Sequence, residues 1–198
     1  NPQTPLTTSK DWFALLQNNR LLGLAYLNFF DLVDYALVGL MFLALFAALR
    51  ETNRSLMIMA APAGLVGIGV YFAANTVFSM LVLSDQYAAA TTEEQRALLL
   101  AAGQAVLALS APGSIGAGTG IYLSFLLLAI AGLLTSVVML QSVVFSRVTA
   151  YVGILASGFD LVDCLTFAFA PALDAYLLSA AGLCLMIWHI LIGWRLLH

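Results

Sequence analysis

The feature that most constrains this chain is the length of its stretches without a charged residue. From Ser55 to Ser84, and again from Ala97 to Ser146, the sequence contains no Asp, Glu, Lys or Arg. A helix needs about 20 mostly apolar residues to cross the hydrocarbon core of a bilayer, which is about 30 Å thick. Each stretch is long enough for at least one such helix, so the sequence predicts a protein that lies in a membrane.

The composition narrows the class of protein further. Hydrophobic residues make up 63% of the chain and charged residues only 9%, whereas soluble domains average about 25% charged residues. The 7 Lys and Arg against 10 Asp and Glu give a net charge of −3, which leaves no basic surface for a phosphate backbone. A water-soluble globule is excluded, no nucleic-acid partner is expected, and the lipid bilayer is the predicted partner.

The charged residues, together with the glycine-rich run at residues 110–120 and Pro171, divide the chain into five predicted spans. The predicted fold class is an all-α, polytopic transmembrane helical bundle with short interfacial helices, forming a single integral membrane domain over residues 1–198. Because the chain starts at Asn1 rather than Met, we also expect a sixth helix that precedes it. The predicted spans cover residues 21–49, 55–84, 119–144, 148–170 and 175–194.

Two amphipathic segments are predicted to lie at the membrane surface. Residues 8–19 include Trp12 and Phe13, which suit the headgroup boundary. Thr91 and Glu94 have the spacing of a capping box just before an apolar run, which predicts the start of a short helix. Either segment could instead re-enter the membrane, and that alternative stays open at this point.

The basic residues indicate an orientation. Loops on the cytoplasmic side of a membrane protein carry more Lys and Arg than loops on the other side. Compact basic turns on one side of the predicted bundle therefore place the C-terminus in the cytoplasm and residues 1–20 outside. The residues on the predicted cytoplasmic side are Arg50, Arg54, Arg147 and Arg195, and those on the other side are Lys10, Arg20 and Arg96.

One acidic motif occurs twice within the predicted spans. Phe-Asp-Leu-Val-Asp ends at Asp34 in the first span and at Asp163 in the fourth. In each copy the second Asp follows the first, Asp31 or Asp160, by three residues, so both carboxyl groups lie on nearly one helix face. Asp34 is sixteen residues before Arg50 and Asp163 sixteen after Arg147, about 24 Å along each helix. We therefore expect the four acids to meet near the middle of the membrane, within an inverted repeat of the kind used by transporters.

Four acids inside a membrane require an explanation. A charge at the bilayer centre costs about 2.5 to 3.5 kcal/mol on insertion scales, and no Lys or Arg lies at the same depth in the predicted spans. The acids could be neutral, hold a cation, line a wet cavity or pair with another chain. They could also be protonated clasps that only join helices. The predicted polar neighbours of the acids are Asn28, Tyr35 and Asn75.

Other candidate sites carry less chemistry. His189 lacks a second metal ligand and is expected to be an ordinary hydrogen-bonded histidine, and Cys164 and Cys184 are expected to be buried thiols. The glycine-rich residues 113–120 follow no strand, so a nucleotide-binding loop is rejected; they would let the chain re-enter the membrane. With no Ser-His, His-rich or metal-ligand pattern, no catalytic residue is predicted, an intramembrane enzyme is the least favoured class, and cofactor and metal stay unassigned.

Several stretches resemble a bacterial family. They are WFALLQNNR at Trp12–Arg20, AANTVFSM at Ala73–Met80, QYAAATTEEQR at Gln86–Arg96 and YVGIL at Tyr151–Leu155. Together they resemble the uncharacterised membrane proteins grouped as domain of unknown function 4386, over nearly the whole chain. The resemblance implies a small six-helix protein of the bacterial cytoplasmic (inner) membrane. That family brings no established activity, so no residue role is carried over from it.

The preferred function is proton- or cation-linked transport of a small solute. The predicted ion or proton site comprises Asp31, Asp34, Asp160 and Asp163. The alternative is a non-catalytic membrane subunit that docks on a larger membrane complex, or on a second copy of the chain, through the same acids or through glycine-containing helix faces. A wet cavity at the acids would favour transport, whereas acids turned toward another chain would favour the subunit.

Overall fold

The computed structural model describes residues 6–109, 118–167 and 169–197, and within them the regular elements are nine α helices. The glycine-rich connection predicted from the sequence includes residues 110–117, which lie outside the described residues. The helices are α1 (Ser9–Asn18), α2 (Arg20–Tyr26), α3 (Phe29–Leu49), α4 (Arg54–Ala74), α5 (Val77–Ala89), α6 (Glu93–Leu109), α7 (Thr119–Gln141), α8 (Arg147–Thr166) and α9 (Pro171–Leu197).

Five segments of the described chain are long and apolar enough to cross a membrane. This confirms the predicted fold class, an all-α bundle with five candidate spans. The second candidate span takes in α4 and α5 together, and the other four correspond to single helices. The segments are Phe29–Leu49, Arg54–Ala89, Thr119–Gln141, Arg147–Thr166 and Ala172–Leu196.

Two of the predicted spans are interrupted. The first breaks between α2 and α3, where Asn28 has a φ of 63°, a left-handed conformation that Asn tolerates better than most residues and that ends helices. The second breaks between α4 and α5, where Asn75 Oδ1 accepts a hydrogen bond from Val77 N at 3.0 Å. Asn75 Nδ2 also donates to the backbone oxygen of Asn28 at 3.4 Å, so one side chain joins the two breaks.

The chain divides into two compact units that interleave along the sequence. Unit 1 comprises the described residues of Asn1–Asp34 and Phe72–Ile121, and unit 2 those of Tyr35–Tyr71 and Tyr122–His198. In unit 1, α1 packs against α5 and α6. Trp12 and Phe13, predicted to lie at the headgroup boundary, are 6% and 0% exposed in its core, because the apolar face of α1 packs on protein.

In unit 2, α8 and α9 pack closely along each other. One core cluster centres on Leu45, Met139 and Trp188, which are all buried. A second cluster joins Phe42, Ile68 and Ala131. These two clusters hold the helices that carry the candidate site described below.

The capping residue of α6 lies one residue later than predicted. The backbone N–H of Gln95 donates to Thr92 Oγ1 at 3.2 Å, and the Gln95 side chain accepts from the backbone of Thr91 at 3.2 Å. Thr92 and Gln95 therefore replace the predicted pair Thr91 and Glu94. The reason is that α6 begins at Glu93, which makes Thr92 the preceding, capping residue.

The capping box of α1 makes a testable prediction. Thr8 Oγ1 accepts from the backbone N–H of Asp11 at 3.3 Å and donates to Asp11 Oδ2 at 2.6 Å. Replacing Thr8 by alanine should destabilise the start of α1 by about 1 kcal/mol. The expected result is hydrogen exchange about fivefold faster for the first α1 amides. Thr7→Ala, which leaves this box intact, is the control; equal exchange in both variants would contradict the prediction.

Acidic conditions should weaken the same cap. Hydrogen bonds from the Thr8 side chain, then from its backbone N–H, hold the pKa of Asp11 below its ordinary value of 3.8. Because the pKa of Asp11 is lowered in the folded state, the ionised carboxylate stabilises the fold fully at pH values above 3.8. This stabilisation is lost as the pH falls through the lowered pKa. Exchange at the start of α1 should therefore speed up only in strong acid, and less so in Thr8→Ala.

Candidate functional site

The four predicted site acids are divided between the two units. Asp31 lies in the first turn of α3 and is half-buried, and Asp34 lies one turn later and is exposed. Both belong to unit 1. Asp160 and Asp163 belong to unit 2, where they are 9% and 1% exposed on α8. That the two pairs meet at one site stays a prediction.

The helix bounds change the expected depth of the acids. The acids were expected near mid-membrane because the first span was predicted to begin at residue 21 and the fourth span to end at residue 170. Instead α3 begins at Phe29 and α8 ends at Thr166, so Asp34 and Asp163 lie within two turns of a helix end. The first copy of the Phe-Asp-Leu-Val-Asp motif lies at the start of α3, and the second copy lies near the end of α8. Since its two copies do not occupy equivalent positions, the helix bounds give no support to an inverted repeat.

The acids of unit 2 lie on the buried face of α8. Steps of three and four residues keep side chains on one face of a helix, and the buried residues of α8 follow such steps. Small residues occupy the early part of this face, and acids occupy the end of it. The buried residues are Thr149, Ala150, Gly153, Ala156, Ser157, Asp160, Asp163 and Cys164.

Asp163 faces a second acid from the neighbouring helix. Its carboxyl group and that of Asp174, in the first turn of α9, are close enough to form a side-chain hydrogen bond. One oxygen of each, Oδ1, is buried without a hydrogen-bond partner. Two ionised carboxylates have only acceptors and cannot donate to each other. The pair therefore needs a proton, or a bound cation, between its oxygens.

Asp174 was absent from the predicted site, although the sequence contains a signal for it. Asp163 lies three residues before α8 ends at Thr166, and Asp174 lies three residues after α9 begins at Pro171. Two antiparallel helices joined by a short connection bring residues equally far from the turn to the same level. Counting outward from the middle of the connection at residues 167–170 would have paired the two acids, whereas searching for identical motifs did not.

The surroundings of the pair contain little to compensate its charge. Asp160 lies one turn before Asp163 on the same buried face, and Cys164 beside it is a buried free thiol. Cys184, also predicted to be buried, is a free thiol that is half-buried. The basic residue of α8, Arg147, is sixteen residues from Asp163, about 24 Å along the helix.

The predicted polar neighbours are divided between the two units. Asn75 donates to the backbone of Asn28 and accepts from that of Val77, as described above, so it stabilises the helix breaks of unit 1. Tyr35 stacks on Tyr71 in unit 2, with ring centroids 4.1 Å apart. His189 has its ring centroid 5.7 Å from that of Trp188.

The fold places the chain among multi-pass, all-α membrane proteins. The chain matches no protein-family model, curated protein or solved structure. The resemblance to domain of unknown function 4386 therefore stays a prediction.

Proposed function

We propose that this protein carries out proton- or cation-linked transport of a small solute, with the buried acids as the ion site. The observation that carries the proposal is the Asp163 and Asp174 pair, whose buried Oδ1 atoms lack partners. A pair of acids that must bind a positive ion to stay buried changes its charge when that ion leaves. Such a change can be coupled to the movement of a solute.

The chemistry of the pair favours a proton over a metal ion. Hard cations such as Ca²⁺ take about six to eight oxygen ligands, and two carboxyl groups supply four oxygens. Within the described part of the chain, no three His, Cys, Asp or Glu side chains are grouped so as to hold a metal ion. One proton satisfies the pair with a single hydrogen bond.

The remaining predicted acids have proposed supporting roles. Asp160 lies on the buried face next to Asp163 and would exchange the proton with it. We retain Asp31 and Asp34 as proposed ion or proton residues of unit 1. We further propose that the protein lies in the bacterial cytoplasmic membrane with its C-terminus in the cytoplasm, because its compact turns are basic.

Proton flux in lipid vesicles tests the proposal. Purified protein is reconstituted with a pH-sensitive dye inside, and a potassium gradient with valinomycin drives proton entry. The expected result is entry faster than in protein-free vesicles, and slower entry in Asp34→Asn than in the unmodified protein. Entry at the protein-free rate, with and without candidate solutes, would contradict proton-linked transport.

A second candidate function is a non-catalytic membrane subunit. Asp34 is exposed on a face of α3 that also exposes Val33 and Leu37, at 56% and 59%. An acid among exposed apolar side chains would be satisfied by a polar group on a partner chain. Chemical crosslinking in native membranes through a cysteine at Leu37 tests this. A defined crosslinked species, either a second copy or another protein, would favour the subunit, and monomer alone would contradict it.

A further inference from the structure

The arginines of unit 2 lie at one end of it. The turn between α3 and α4 is joined to the end of α7, because Asn53 Nδ2 donates to Gln141 Oε1 at 3.2 Å. The last turn of α9 is joined to the connection between α7 and α8, because Arg195 Nε donates to the backbone oxygen of Val144 at 2.6 Å. These contacts bring together the helix ends that carry Arg50, Arg54, Arg147 and Arg195.

This end of unit 2 is basic and lies where the candidate membrane spans begin or end. Among the described residues its one acid is Glu51, which is 3.4 Å from Arg50. The nearest acid of α8, Asp160, is thirteen residues from Arg147, about 20 Å along the helix. The ends of spans lie at the level of the lipid headgroups. The positive charge of this end therefore faces the phosphate groups of the bilayer.

A pocket opens at this end, between α9 and the connection that joins α7 to α8. Its volume of about 350 Å³ is within the range of small-molecule sites, about 300 to 1,000 Å³. Arg195 is the one charged residue of its described lining, and the bond to Val144 leaves the donors of both terminal nitrogens for a ligand. The lining residues are Val143, Val144, Phe145, Ser146, Thr149, Leu191, Trp194 and Arg195.

Apolar side chains surround the charge of this pocket. Val143 and Trp194 are 97% and 67% exposed, and tryptophan is enriched where a protein meets the headgroup layer. A positive group beside exposed apolar side chains is complementary to a phosphate attached to acyl chains. A zwitterionic headgroup carries its own positive charge beside its phosphate. The pocket therefore favours a phospholipid with a net negative charge, as basic pockets between membrane helices do.

We propose that this pocket binds the headgroup phosphate of an anionic phospholipid. The guanidinium of Arg195 donates to the phosphate oxygens, an arrangement in which arginine forms two parallel hydrogen bonds. The acyl chains lie along the exposed side chains of Val143 and Trp194. The site belongs to unit 2 alone, and it does not depend on the proton of the Asp163 and Asp174 pair.

Quenching of tryptophan fluorescence by brominated lipids tests the site. Trp194 reports on the pocket, because Trp12 and Trp188 are only 6% and 1% exposed. The full chain is reconstituted in phosphatidylcholine vesicles in which an equal fraction of lipid is brominated phosphatidylglycerol or brominated phosphatidylcholine. The ratio of the two quenching constants measures the preference for the anionic lipid.

Three variants separate the pocket from the rest of the basic end. Arg195→Gln removes the charge but keeps an amide that can donate to Val144, and Arg195→Lys keeps the charge. The matched control is Arg54→Gln, because Arg54 is an exposed arginine at the same end that does not line the pocket.

The anionic lipid is expected to bind about fivefold more tightly than phosphatidylcholine, the factor that one arginine near an anionic surface contributes. Arg195→Gln should remove this preference, whereas Arg195→Lys and Arg54→Gln should keep most of it. No preference in the unmodified protein would overturn the proposal. Equal losses in the two glutamine variants would show a diffuse attraction to the whole basic end and would overturn the pocket as the site.

The buffer distinguishes the lipid from a free anion. Replacing chloride by inorganic phosphate at equal ionic strength should leave the preference for the anionic lipid unchanged. Loss of the preference in phosphate alone would show that the free anion occupies the pocket, and it would overturn the assignment to a lipid.

Discussion

Replacing Asp163 by asparagine is expected to reduce proton entry into vesicles to the protein-free rate. Asparagine has the shape of a protonated Asp and can donate to Asp174, so the variant should fold with nearly unchanged stability. It cannot release and rebind a proton, so the pair would stay in the charge state of its singly protonated form, with one neutral side chain and one carboxylate. The measurement is dye-reported proton flux, with the free energy of unfolding in detergent measured in parallel.

Two further variants complete this experiment. Asp174→Asn should behave like Asp163→Asn, because the two acids share one proton. Asp85→Asn is the control, since Asp85 is an exposed acid paired with Arg20 at 3.0 Å in unit 1. Full proton flux in Asp163→Asn would contradict a role of the pair in proton transfer and would favour a purely structural contact between α8 and α9. Equal loss in the Asp85 variant would show that the assay reports a general effect of charge.

Replacing Gly153 by valine is expected to produce the largest loss of stability. Any Cβ at this position would overlap Ser136 Oγ and the indole of Trp188, and that indole is 1% exposed in the core of unit 2. Trp188 is a large, rigid side chain in a packed cluster, so it cannot move aside cheaply. Overpacking of this kind costs about 1 to 3 kcal/mol. Unfolding by denaturing detergent measures the change.

Gly158 provides the matched control on the same helix. A Cβ at Gly158 has nothing within 4 Å. Gly158→Ala should therefore be neutral or stabilising, because alanine favours helix by about 1 kcal/mol over glycine. Gly153→Ala, a smaller change than valine, should still destabilise. Equal stability of the Gly153 and Gly158 alanine variants would contradict the close packing of α7, α8 and α9.

The sequence predicted the fold class well because charged residues, a glycine-rich run or Pro171 mark the ends of each span. The predicted starts near Thr119 and Arg147 agree with α7 and α8. The breaks at Asn28 and Asn75 were missed because both lie within mostly apolar stretches. Hydropathy measures transfer into lipid, whereas these breaks depend on backbone conformation and one side-chain hydrogen bond. Trp12 was predicted to lie at the headgroup boundary but is buried in the core of unit 1. Sequence alone does not separate the two places, because aromatic residues favour both.

One member of the proposed acid pair was selected from the sequence, and the other was not. Asp163 could be selected because placing an acid in an apolar span costs free energy, and this cost can be recognised without knowing how the helices pack. Its partner Asp174 could not be recognised as an isolated residue, because an acid in the first turn of a helix usually only favours that helix end. Its role depends on the pairing of α8 with α9. The close contact of Ser136 and Trp188 with Gly153 was missed entirely, since it forms only where three helices pack together.

The proton held by the acid pair can be observed directly. Infrared spectra of the reconstituted protein at neutral pH should contain a protonated carboxyl band that persists in Asp85→Asn. The band should be absent from Asp163→Asn and from Asp174→Asn. A wild-type spectrum without such a band, or a band unchanged in both pair variants, would contradict a shared proton between Asp163 and Asp174.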